Sequence, residues 1–251
     1  MALRLFPFRQ YSDHNVINMY ANQTVDDNPS TNGNGSAGVI VKVLVGAGAG
    51  GVAGGSISKD VIEFASSSSY LGKTDYPFLG ADKYPQTPLR VAAATTGVPV
   101  LGVTLNQTIS NDENGEKLLY NPVKKDELQA VLSGQAVPVA TKGLFTFAAG
   151  GATSTFSAFG NNTTTVPGNL AVIDGSNDGK MVGVTPATLD APHATGGAGQ
   201  PYYRVVGQII ATGQRTSQNG QADYFAGTGT AGYAMVQLDA AASWSAQGVT
   251  A

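Results

Sequence analysis

The chain has 251 residues, 33 of them glycine and none cysteine, with 42% apolar residues, 12% charged residues and a formal charge of −3. The lack of cysteine excludes disulfides, a thiolate nucleophile and a sulfur-ligated metal. The slightly acidic balance argues against a partner bound by phosphate neutralisation. A charged share about half that of an ordinary soluble domain points to a surface covered by small polar groups or by neighbouring subunits.

Residues 1–37 differ from the rest. They open with MALRLFPFRQYSDHNVINMY, where Arg4, Phe6, Phe8, Arg9 and Tyr11 interleave basic and aromatic side chains, and decay into DDNPSTNGNGSAG, a polar, turn-rich linker. This pattern predicts an extended N-terminal arm that lays its rings on its own body, a sister subunit or a partner. The alternative is a first strand of the main domain. Arg4, Pro7 and Arg9 interrupt any apolar core of signal-peptide length. No run reaches the roughly 20 apolar residues of a membrane span, so export by the usual route and a transmembrane position are not expected.

Next comes VIVKVLVGAGAGGVAGG, residues 39–55, a β-rich run leading into Gly46, Gly48 and Gly51 at the spacing of a dinucleotide-binding turn. That fingerprint needs a helix to meet the pyrophosphate. Gly54 and Gly55 stand where the first helical turns belong and cost about 2 kcal/mol between them. The candidate ribose carboxylate, Glu63, sits inside an apolar run, and no further βαβ units follow. A strand ending in a closely approached glycine segment is the better reading.

Strands are expected at 39–45, 100–109, 136–140, 143–148, 170–174, 180–185, 203–212 and 233–238, separated by turns at Asn114-Gly115, Asp174-Gly175, Asp178-Gly179 and Asn219-Gly220. In 203–212, Val205, Gly207, Ile209 and Ala211 fall on one face and Val206, Gln208, Ile210 and Thr212 on the other. One short helix is predicted near 122–133. Asn121 caps it, Pro122 takes the first helical position, and Val123, Leu128, Val131 and Leu132 form a buried stripe. VPVLGVTL (98–105) and YRVVGQII (203–210) hint at a duplication. The segments 46–58 and 148–169 are low in complexity, the second pinned by Phe156 and Phe159.

No catalytic constellation emerges. Ser56–Lys59 matches S-x-x-K without its companion motifs. Leu71–Thr74 has the tail of a phosphate loop, but Ser67 stands where the loop needs glycine. His14 and His193 have no metal-ligand spacing, and the adjacent pair Asp126-Glu127 points its carboxylates apart on a helix. DGSNDG (174–179) is too short for a calcium loop and reads as a hairpin turn. The expectation is a non-enzyme without cofactor or metal.

VPGNLAVIDGSNDGKMVGVTPATLD, YRVVGQIIATGQ and GYAMVQLD together resemble the small β-barrel of tailed-bacteriophage head-decoration (cement) proteins and related phage virion structural proteins. The elements that carry the likeness are Pro167-Gly168, Leu170 to Asp174, Lys180 to Thr185, Val205-Val206-Gly207 and Tyr233 to Leu238. VAAATTGVPVLGVTLNQ and SGQAVPVATKGLFTF use the same vocabulary earlier in the chain.

The expected architecture is therefore all-β, a mainly antiparallel β-barrel or sandwich with an N-terminal arm at 1–37 and a body at 38–251. That body is one unit or two small subdomains, about 38–147 and 165–251. The resemblance implies a protein of the virion surface, made in the host cytoplasm. It would cement subunits of the major capsid protein as a homo-oligomer, a trimer being favoured, with no nucleic acid or membrane partner. Arg4, Phe6, Phe8, Arg9 and Tyr11 would supply the contact, so removing residues 1–25 should abolish capsid binding and spare the body. Rival expectations are a tail, fibre or surface-layer module, a nucleotide enzyme using 46–51, and a carbohydrate module using Tyr202, Tyr203, Tyr224 or Trp244.

Overall fold

The computed structural model describes residues 5–21, 35–43, 90–95, 98–109, 111–112, 114–132, 135–149, 158–161, 164–174, 178–186, 205–213 and 232–240. The glycine run at 46–55, the Ser56–Lys59 and Leu71–Thr74 motifs, His193 and the four aromatics of the carbohydrate reading lie outside them.

The described chain is all-β with one short helix. Its strands are β1 (Leu5–Gln10), β2 (Val16–Ala21), β3 (Ile40–Val43), β4 (Arg90–Ala93), β5 (Gly102–Thr104) and β6 (Ala136–Ala140), then β7 (Lys142–Ala148), β8 (Phe159–Asn161), β9 (Leu170–Ile173), β10 (Met181–Val184), β11 (Val205–Gly213) and β12 (Tyr233–Asp239). Five of them pair in a ring, β2-β4-β3-β5-β6 and back to β2, forming a small barrel. The other seven form a sheet in the order β1-β7-β12-β11-β9-β10-β8. Among the described strands only β2–β4 and β8–β10 pair in parallel.

Residues 5–21 are extended and lie on the body of the same chain. They run antiparallel to 136–148 along its length. β1 pairs with β7 through Leu5↔Phe147 and Arg9↔Phe145, and β2 pairs with β6 from Val16↔Ala140 to Tyr20↔Ala136. At the crossing between sheets a single residue, Thr141, joins β6 to β7, and its N–H donates to Asn15 O at 2.8 Å. Leu5 is fully buried, so the segment lies on its own body, one of the placements expected for it, and does so as two paired strands. Burying such a side chain stabilises by roughly 1.5–3 kcal/mol, ample reason for the segment to stay on the body. Truncating residues 1–25 would accordingly remove one barrel strand and one sheet edge.

Barrel and sheet share a core. Ile40, Val103 and Ala140 from the barrel pack in one cluster with Leu5, Phe145, Phe147, Phe159, Ile209 and Leu238 from the sheet. The β9–β10 turn adds backbone hydrogen bonds between them: Gly179 N donates to Ala94 O (2.7 Å) and Ile40 N to Gly179 O (3.1 Å). β9 and β10 form the expected antiparallel hairpin around 174–179. Pro167-Gly168 makes the expected turn before β9, with Gly168 at φ 91° and Asn169 N donating to Val166 O. In β11 the alternation holds from Gly207 to Ile210, whereas Val206 is also buried beside a register shift on the β9 side. Phe159, inside the low-complexity stretch, is fully buried on β8.

The helix is shorter than expected. α1 spans Pro122–Glu127, and the Asn121 side chain accepts from Lys124 N as its cap. Gln129 then adopts φ 49°, and a backbone exchange with β5's continuation takes over: Gln107 N donates to Gln129 O, and Val131 N to Gln107 O at 2.7 Å. Ala130 is bridged to Gln107, Val131 and Leu132 follow it outside any helix, and all three are buried. Val123, expected in the buried stripe, is 69% exposed.

Candidate functional site

The five residues expected to make contact have different fates. Arg4 lies outside the described residues. Phe6 is buried at 8% exposure and belongs to the core side. Pro7 lacks an amide proton for the ladder, and around it Phe6, Pro7 and Phe8 of β1 oppose the single residue Thr146 of β7. This irregularity explains why neighbours Leu5 and Phe6 are both buried while Phe8 is 59% exposed. β1 is also an edge of the sheet, and a proline with a bulge is a common guard against unwanted strand pairing.

Arg9 and Tyr11 face a cleft of about 830 Å³. Tyr11 stacks on the fully buried Phe145, with ring centroids 5.5 Å apart and an interplanar angle of 18°. That stack requires glycine at 143, because a Cβ there would lie 2.7 Å from Tyr11 Cβ and 2.7 Å from Gln10 O. Arg9 donates its Nε to Phe6 O at 3.0 Å. Partial burial lowers its pKa from the usual value, with Tyr11 acting in the opposite sense. A guanidinium nevertheless stays charged at any ordinary pH.

The floor of the cleft follows the barrel ladder. Asn18 on β2 pairs with Pro138 on β6, and Leu105 N donates to Pro138 O at 3.0 Å; all three residues line the cleft. Lys125, Asp126 and Gln129 from α1 and its exit form the opposing wall. The exchange between Gln107 and residues 129–131 pins that wall to the barrel. Asn106 and Gln135 complete the polar lining, and Gln135 Oε1 accepts from Leu132 N. Asp13, in a short 3-10 turn, stands at the N-terminal side.

A second surface feature was not legible as such. Leu119, Tyr120 and Val123 are 36%, 78% and 69% exposed, and Tyr120 and Val123 are three residues apart across the start of α1. Their signal in the sequence is LLYNPV, apolar residues at the cap of a helix too short to bury them.

Other chemical candidates acquire structural roles. Asp112 Oδ1 accepts from Asn114 N (2.9 Å) and Glu116 N (2.8 Å), closing the turn at Gly115. His14 is exposed in the 3-10 turn. Among the described residues no group of three or more His, Asp or Glu side chains is placed to hold a metal, and no helix is long and apolar enough to cross a membrane.

No family model matches the chain, and no similar curated protein or solved structure was found.

Proposed function

We propose that this chain is a virion structural protein that binds the outer surface of a phage capsid and cements neighbouring capsid subunits. It acts by adhesion, without turnover, as a homo-oligomer with a trimer favoured. The observation that carries the reading is the exposed apolar group Leu119, Tyr120 and Val123. Large apolar side chains fixed at a capped helix start lose little conformational freedom on binding, and aromatic anchors dominate interface energetics. Phe8 adds a second exposed ring on β1, where the Pro7 irregularity favours contact through side chains over strand addition. Weak contacts of this kind add up when many copies sit on a symmetric lattice.

Co-sedimentation with capsid shells of the cognate virus tests the reading, using Tyr120→Asp and Val123→Asp. Both sites are exposed, so the fold should tolerate the changes, and shell binding should fall at least about tenfold. Wild-type protein that stays in the supernatant with shells, but pellets with tails, would move the reading to a tail or fibre module.

A further inference from the structure

We infer that the cleft between β2, β6 and α1 is a binding site for a short, neutral oligosaccharide. It holds Arg9 and Lys125 against Asp13 and Asp126, so its lining carries no net charge and offers no reason to select an ion. Its neutral polar groups are amides, Asn18, Asn106, Gln129 and Gln135. Each amide carries both donors and an acceptor, which suits hydroxyl groups that donate and accept at once. Carboxylates and a guanidinium strengthen such bonds without needing an ionic partner.

The second requirement of sugar recognition is a flat apolar surface for the C–H face of a pyranose ring. Tyr11 supplies it. One side of its ring is held by Phe145, the residue is 38% exposed, and it lines the cleft. A ring fixed in this way pays little entropy on binding. Arg9, tied down through Nε to Phe6 O, has its terminal nitrogens without a protein partner among the described residues. Their fixed fork fits adjacent hydroxyls on one sugar. A volume of about 830 Å³ gives an open cleft with room for a short saccharide.

The site uses other residues than the proposed capsid contact through Tyr120 and Val123, although α1 carries part of both. It can be probed by two-dimensional NMR of the full chain titrated with maltotriose, cellotriose and chitotriose, with trigalacturonate as the anionic counterpart. At least one neutral trisaccharide should give saturable shifts confined to cleft residues. Tyr11→Ala should weaken it at least about tenfold, and Asp126→Ala should weaken it without altering the dispersed spectrum. Tyr11→Phe, which keeps the ring, should bind within about threefold of wild type. Three results would each overturn the assignment: no saturable shift by about 10 mM, unchanged affinity in both Tyr11→Ala and Asp126→Ala, or tighter binding of trigalacturonate. Parallel pull-downs on insoluble chitin, cellulose and starch separate a free sugar from a polymer as the source. Retention on the polymer of the preferred trisaccharide indicates a cell-surface or matrix glycan, and no retention a soluble sugar.

Discussion

Gly143 and Tyr11 are packed so closely that no side chain fits between them: a Cβ on residue 143 would stand 2.7 Å from Tyr11 Cβ and 3.1 Å from the Phe145 ring. Gly143 also has φ 147°, which side chains rarely adopt. Overpacking and backbone cost together make Gly143→Ala destabilising by about 3 kcal/mol. For a chain of this length that lowers Tm by roughly 6–12 °C. Calorimetry measures the loss, and tyrosine near-UV circular dichroism should change with it, because the ring that must move is Tyr11.

Leu5 decides between strand and arm. It is fully buried against the shared core and pairs with Phe147. Leu5→Ala should therefore cost about 2–5 kcal/mol in urea unfolding. Ile210→Ala, at a 46% exposed position, should stay within about 0.5 kcal/mol. Equal stability of Leu5→Ala and wild type would mean that the segment does not pack on this body, leaving a sister subunit or a partner as its place.

Strands with strong local character were legible. β6 falls on the expected boundaries, and β9, β10 and β12 agree to within a residue at each end. β-branched runs between Gly and Asp turns specify these without help. β1 and β2 read as an arm because a polar, turn-rich linker separates their interleaved aromatic and basic residues from the body, and what orders them is β6–β7, more than 100 residues away in the chain. β4 (RVAA) and β8 (FGN) are short and poor in β-formers, so their pairing partners define them. The cleft was not legible for the same reason. Its residues come from four separated segments, 9–18, 105–106, 125–131 and 135–138, that only the barrel brings together. Val123 failed because a helical period assumes the helix continues, and Gln129 ends it.

The likeness of VPVLGVTL to YRVVGQII has a physical counterpart. Gly102 on β5 and Gly207 on β11 each lie where a Cβ would run into a carbonyl of the neighbouring strand, Ala140 O and Gln237 O respectively. Gly102→Ala and Gly207→Ala should each cost at least about 2 kcal/mol by forcing those strands apart. Chemical denaturation reads the loss. Gly168→Ala, where nothing crowds the missing Cβ, isolates the positive-φ cost of about 1–2 kcal/mol.

Two buried threonines should respond in opposite directions to the same substitution. Thr104 Oγ1 accepts from Val39 N at 3.2 Å inside the barrel, and Thr104→Val would leave that amide unpaired, costing about 1–3 kcal/mol. Thr146 Oγ1, on β7, is buried without a hydrogen-bond partner among the described residues. Thr146→Val keeps the branched shape and removes a desolvated hydroxyl, so it should stabilise by about 1 kcal/mol. Thermal unfolding of both variants beside wild type reads the pair. A loss at Thr146 as large as that at Thr104 would mean that its hydroxyl has a hydrogen-bond partner outside the described residues.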